Sequence, residues 1–355
     1  MAPKLSSLLR NSSARRLAGR VIKPLRRAAQ RNSPRAGILM YHRVAAEEAD
    51  PWNLCVTPEA FDEQMEVLAR RRAAVDLAAF GDGSAYGKAG DRIAVTFDDA
   101  YSDNLAAALP ILEKHEIPAT IFVVTGALGQ RHEFWWDALV RVVLESGRVP
   151  QELSLELGGR RFEFRIEDGS EVAPASGWDA DHDEPRTDRE RLYLNLWNAI
   201  VVLEPEEQNA AAEQVLVWAG LPAKGPEHRY PATRDQIAAL ASHPLIRVGS
   251  HTRHHVSLPH LTSARQREEI AGGHRDLEEL VGRRLDRFSY PFGRYDCSAL
   301  DHVRELQVAV ACTSRPAVAT AAMSRTELPR LHATQRDGDS FARWLRDDHG
   351  LLAGR

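Results

Sequence analysis

Cysteine is scarce. Cys55, Cys297 and Cys312 are the three thiols in 355 residues, and their wide separation fits neither a zinc knuckle nor a disulfide framework. The cysteine count therefore says little beyond a mild lean toward a reducing compartment. Apolar runs are short as well. No stretch approaches the roughly 18 apolar residues of a transmembrane helix, and the first residues lack the uninterrupted apolar core of a secretory signal peptide. Acidic residues are missing before Glu47, whereas ten Lys and Arg residues lie between Lys4 and Arg35. Leu5, Leu8 and Leu9, then Leu17, Val21 and Leu25, recur at roughly helical spacing there, with Pro24 a kink. Residues 4–35 thus read as a solvated basic arm, as a segment lying on an anionic membrane surface, or as a removed targeting segment. A cytoplasmic location at the inner membrane face is the expectation. The net charge of −4 over the whole chain argues against a nucleic-acid partner.

What is present is a regular alternation. With 43% hydrophobic residues the chain can bury a sizeable core. The runs "GILMY" (37–41), "IAVTF" (93–97), "ATIFVV" (119–124), "LIRVG" (245–249) and "VAVAC" (308–312) read as buried parallel strands. Helical patterns separate them, among them "TPEAFDEQMEVLARR", with Thr57 as cap and Pro58 in the first turn. Such alternation predicts an α/β barrel or a doubly wound sheet. Residues 1–36 form the arm and 37–355 the barrel domain. Between about 130 and 230 the alternation breaks, which predicts an insertion or subdomain. It holds a hairpin turned on Gly158-Gly159 and an acidic stretch, "EDGSEVAPASGWDADHDEP", that reads as a mobile loop.

Polar residues gather at the ends of these strands. His42 follows the first run, Asp98 and Asp99 follow the second, and His251 follows the fourth. In barrels of this kind the strand C-termini converge on one face, where catalytic groups collect. Asp98 and Asp99 diverge on extended backbone, so one can be a ligand and the other a base. Two histidines and a carboxylate with open positions suit a catalytic divalent cation. Spacing alone leaves two pairs open in "HTRHH", namely His251 with His255 and His251 with His254. Trp135 and Trp136 could stack on a sugar face or pack the insertion. His182, His260 and His274 read as ordinary loop or helix residues.

Taken together these segments resemble the polysaccharide deacetylases, the NodB-homology family. "TFDDAYSDN" is similar to the first family motif, "GSHTRHHVSL" to the second and the groove-lining "RFSYPFGRYD" to the third. "ILMYHRV" resembles the opening strand of the branch that includes bacterial poly-N-acetylglucosamine deacetylases. The resemblance covers about residues 37–128 and 233–335. It implies a distorted (β/α) barrel of about seven strands and a divalent metal, zinc by preference, held by Asp99, His251 and His255. It further implies Asp98 as general base, His42 as general acid with His332 a rival, and Thr252 holding the ligand loop. The backbone N–H of Tyr290 is implied as an oxyanion donor, and Pro291, Phe292, Tyr295 and Trp135 are candidate groove walls. Two positions depart from the family pattern. Ala100 stands where a glycine is usual, and Ser289 stands where an arginine orients the base, a role that Arg330 could fill from another strand. The implied substrate is an N-acetylated amino sugar of a polysaccharide or its lipid-linked precursor. Hydrolysis of another non-peptide C–N bond and a silent carbohydrate-binding protein are the alternatives.

Overall fold

The structure, a computed structural model, describes residues 35–86, 92–167 and 177–352. Of the basic arm expected at residues 4–35, all but Arg35 lies outside them. Among the described residues no helix is long and apolar enough to cross a membrane.

Seven parallel strands close into a barrel: β1 (Arg35–Tyr41), β2 (Ile93–Phe97), β3 (Ala119–Val123), β4 (Ile246–Ser250), β5 (Arg287–Ser289), β6 (Val310–Pro316) and β7 (Leu328–His332). Each strand pairs with its neighbour in sequence, and β1 completes the ring by pairing with both β2 and β7. Leu39 marks the closure, opposite Val95 on one side and Leu331 on the other. This closure rules out the doubly wound alternative. Every residue of β2 and β3 is buried, the pattern of strands covered on both faces, so these segments read as unbroken apolar runs.

The barrel is irregular on one side. β5 has three residues, meets β4 at the single pair Ser250 and Phe288, and a register shift separates the pairings of β6 with β7. Neither β5 nor β7 stands out by hydrophobicity, because β5 has only three residues and each carries a buried arginine, Arg287 or Arg330.

Outside the ring, the helix Pro58–Arg71 starts where its sequence dictates. The Thr57 hydroxyl accepts from the N–H of Ala60, and Phe61, Met65 and Leu68 are buried against the strands. The insertion between β3 and β4 has a core of its own, built from residues such as Leu139, Leu192, Tyr193, Leu196 and Val215. Its hairpin, Glu152–Leu157 with Arg160–Arg165, turns on Gly158 and Gly159, both at positive φ, as a two-residue turn of this hand requires. Residues 168–176 of the acidic stretch lie outside the described residues, and the part that follows them differs from the mobile loop expected. Residues 178–183 of it are tied down, since Ala180 N–H donates to the Pro51 carbonyl at 2.7 Å and Asn53 Nδ2 donates to Asp179 at 3.0 Å.

One glycine positions the functional loop. A Cβ on Gly273, in the helix Gly273–Val281, would lie 2.5 Å from the carbonyl carbon of Thr252 and 2.6 Å from the nitrogen of Arg253. Both are backbone atoms and have nowhere to go. Gly273→Ala is therefore expected to cost about 1–3 kcal/mol, the usual penalty for overpacking. Urea unfolding should show the midpoint falling, and an unchanged midpoint would mean the loop has slack.

Candidate metal and active site

Asp98 and Asp99 leave the end of β2 in different directions because the backbone turns sharply there. Asp99 has φ 69° and Ala100 φ 55°, a left-handed conformation that glycine adopts without cost and alanine does not. Ala100 thus accepts strain where the family pattern has glycine.

Asp99 faces the histidine loop. His251 closes β4, and its Nδ1–H donates to the Ser289 carbonyl at 2.8 Å. This fixes the tautomer and leaves the Nε2 lone pair 3.5 Å from Asp99 Oδ1. Thr252 and His255 take positive φ, and the Thr252 hydroxyl accepts the His255 N–H at 3.0 Å. That tight loop carries His255 Nε2 to 3.2 Å from the same carboxylate oxygen. His254 is held elsewhere, its N–H and its Nδ1 both engaged by Glu269, at 2.8 and 2.7 Å. The spacing ambiguity is thereby settled: His251 and His255 converge and His254 does not.

One donor atom from each of Asp99, His251 and His255 lies within 4.8 Å of the other two. Burial pushes the His251 and His255 imidazoles below their ordinary range, His255 strongly, so both are neutral. Burial and the adjacent Asp98 charge push the Asp99 carboxyl well up. These contacts are therefore not ion pairs. Asp99 Oδ1 is buried with no hydrogen-bond partner among the described residues, a costly arrangement that a cation would relieve. A carboxylate and two neutral imidazoles with open positions fit a divalent transition metal.

Asp98 turns toward Arg330 on β7. The guanidinium grips both carboxylate oxygens, at 2.7 and 2.6 Å, and also donates to Ser289 Oγ at 2.8 Å, Thr96 Oγ1 at 3.1 Å and the Thr313 carbonyl at 3.0 Å. Burial alone would raise the Asp98 carboxyl, but Arg330 together with His251 outweighs it and holds Asp98 far below the usual carboxylate range. Ser289, at the position where the family pattern has an arginine, accepts from Arg330 and leaves room for its guanidinium.

Across the site, His42 after β1 and His332 at the end of β7 sit with ring centroids 5.6 Å apart. Burial lowers His42 to about 3 and His332 to about 4. Both open onto a cavity of about 220 Å³ that also reaches Asp98, Asp99 and His255. Much of its remaining wall is aromatic, formed by Trp52, Trp136, Trp197 and Phe292. A larger depression, about 630 Å³, opens where β4 and β5 begin and contains none of these groups.

Several candidates are placed differently from the sequence expectation. Trp135 points into the insertion core, 6.2 Å from Trp197 and away from the cavity; its neighbour Trp136 lines the cavity and packs 4.7 Å from the His255 ring. Adjacent residues on a helix face different ways, and the order of the pair does not say which one faces in. Tyr295 stacks on Tyr290 at 4.6 Å and donates its hydroxyl to Glu327, so it is no cavity wall, and Pro291 is buried without lining the cavity. The Tyr290 N–H donates to the Cys312 carbonyl at 3.0 Å and is not available to an oxyanion. Trp52 and Trp197 were missed altogether. Each is a lone aromatic in a loop or helix far from any motif, so only the assembled fold reveals it.

The closed barrel thus carries a convergent Asp-His-His set that could hold a divalent metal ion. The sequence profile of the family described as "Polysaccharide deacetylase" matches residues 86–151 and 213–311, a little under half of the chain. YxkH of Bacillus subtilis (strain 168), named for the same family, is 25% identical over 119 residues, or 33% of this chain and 42% of YxkH. The match thus spans less than half the length of that relative. Among solved structures, a polysaccharide deacetylase from Bacillus cereus superposes with a TM-score of 0.53 at 16% identity, covering 87% of this chain and 68% of that one. IcaB from Ammonifex degensii gives 0.52 at 17% identity, covering 87% and 95%. Such identities show a shared fold.

Replacing Asp99, His251 or His255 by alanine should each abolish stoichiometric binding of a divalent cation, whereas His254→Ala should retain it; metal analysis after dialysis distinguishes them. Arg330→Met should cost about 3–5 kcal/mol, because it strands a buried charge. Removing the guanidinium also raises the Asp98 pKa. The carboxylate form, fully present at neutral pH in the native protein, would then be lost at higher pH as acid is added. The acid limb of the pH–rate profile should therefore move upward, and an unmoved limb would detach Arg330 from the base.

Proposed function

We propose that this chain is a metal-dependent deacetylase that removes N-acetyl groups from amino sugars of a glycan or its carrier-linked precursor. One observation supports this reading most directly. Asp98, kept ionised by Arg330, stands beside the Asp99, His251 and His255 set and faces the imidazoles of His42 and His332 across one cavity. A bound divalent cation would polarise the amide carbonyl and acidify a water molecule.

The protein's own groups supply the rest. Asp98 accepts the proton of the attacking water. A carboxylate of such low basicity is a weak base, so it depends on an acidified water, but it is never lost to protonation near neutral pH. Because Tyr290 is committed to Cys312, we assign oxyanion stabilisation to the backbone N–H of Phe292. That residue lines the cavity at positive φ, in the turn Pro291–Gly293. Such a donor contributes about 3 kcal/mol to the transition state. An amine leaves poorly unless protonated, and an imidazole on the opposite wall meets that need. We assign this to His42, with His332 beside it. Both are neutral near pH 7. The proton that either gives to the leaving amine is therefore the one Asp98 takes from the water, passed across the cavity before the C–N bond breaks.

Acetate release from a panel of N-acetylated and O-acetylated sugars tests the reading. Asp98→Asn should lower turnover by about 10²–10⁴ while retaining metal, and a fully active variant would refute the assigned base. His42→Ala should show a comparable loss; normal activity would transfer the role to His332.

A further inference from the structure

The cavity has a wall that comes from outside the barrel, and that wall is fastened shut. Trp52, in the segment joining β1 to β2, meets Trp197 of the insertion at 4.7 Å between ring centroids. Its Nε1 donates to the Tyr193 hydroxyl at 2.7 Å. The backbone bond from Ala180 to Pro51 and the side-chain bond from Asn53 to Asp179 continue this seam. Four of its members, Asp179, Ala180, Tyr193 and Trp197, fall within residues 152–212, the stretch that the family profile skips. The seam is thus a feature of this chain's insertion. At the mouth, Arg294 lies over the Trp197 and Phe292 rings at 5.6 and 5.8 Å, and Asp181 contributes a carboxylate to the lining.

These features bear on how much glycan can enter. Pockets for drug-sized ligands measure about 300–1,000 Å³, so a cavity of about 220 Å³ has room for little more than one sugar ring. Indole faces pack against the apolar C–H face of a pyranose, while Asp181 and Arg294 at the mouth suit its hydroxyls. An internal unit of a polymer needs an exit for the chain on both sides, and the seam joins the two walls on one side. Resting on the deacetylase reading above, we propose that the insertion makes the site a single-ring pocket. The enzyme then acts on the amino sugar at a chain end, or on a short carrier-linked unit, rather than on internal units.

The test uses the full chain with N-acetylglucosamine oligomers of two to six units. Mass spectrometry should place the lost acetyl group on one terminal unit at every length, and deacetylation of internal units by the native protein would overturn the proposal. Trp52→Ala and, separately, Asn53→Ala open the seam and should raise the share of internal deacetylation at least tenfold. The Asp98→Asn protein supplies a readout independent of turnover, since saturation-transfer NMR reports which rings it touches. Contact confined to one terminal ring supports the pocket. Contact spread over internal rings, or no binding of any oligomer, overturns it. Terminal-ring contact without acetate release from the native protein would refute the deacetylase reading and leave the pocket standing.

Discussion

The buried pair of Arg330 and Asp98 is the interaction on which the site depends. Neither side chain has meaningful access to water, with Arg330 0% and Asp98 2% exposed. Placing two charges in such surroundings costs several kcal/mol each unless geometry and additional hydrogen bonds compensate. Here they do: the fork is bidentate, and Ser289, Thr96 and the Thr313 carbonyl take the remaining guanidinium donors. Because β1 alone separates β7 from β2 in the ring, the pair also spans the point where the barrel closes. The same contact sets the electrostatics. It keeps Asp98 negative, and that charge next to the buried Asp99 makes a second negative charge unfavourable without a cation.

Backbone strain is concentrated around this pair. Asp99, Ala100, Thr252, His255 and Phe292 all have positive φ, and all lie at or beside the candidate metal site. Non-glycine residues reach that region at a cost of about 1–3 kcal/mol each and stay there only when the surroundings over-determine them. The surroundings do so here. The helix starting at Gly273 presses against the histidine loop, the Thr252 hydroxyl ties it, and Ser289 orients His251. The barrel thus serves as a rigid frame in which the conformations that aim the ligands have no room to relax.

The insertion adds a second apolar core that reaches back to the site through Trp136. Its indole N–H donates to the Tyr101 hydroxyl, which in turn donates to Asp137, a carboxyl raised to about 7 by burial. The aromatic wall next to His255 is therefore anchored to the barrel by a polar chain and to the insertion by packing. The ligand set belongs to the barrel, while the wall that selects what approaches it belongs largely to the insertion.

Much of this was legible in the residues. Unbroken apolar runs placed five of the seven strands, and polar residues at their ends marked Asp98, Asp99, His251 and His42, because strand periodicity and strand termini are local properties. β5, with three residues, and β7 escaped that reading, each carrying a buried arginine whose partners include residues elsewhere in the chain. Whether His254 or His255 completes the set was open from spacing, and a distant residue, Glu269, decides it by engaging His254. The bidentate grip of Arg330 on a carboxylate 232 positions away, the commitment of the Tyr290 N–H to Cys312, and the inward turn of Trp136 rather than Trp135 were decided by tertiary structure alone. The sequence by itself determined which chemical groups stand at the strand ends, for those follow from local pattern. Which of them touch, and what wall encloses them, depends on the closure of the ring and the seating of the insertion, which bring together segments that no local pattern relates.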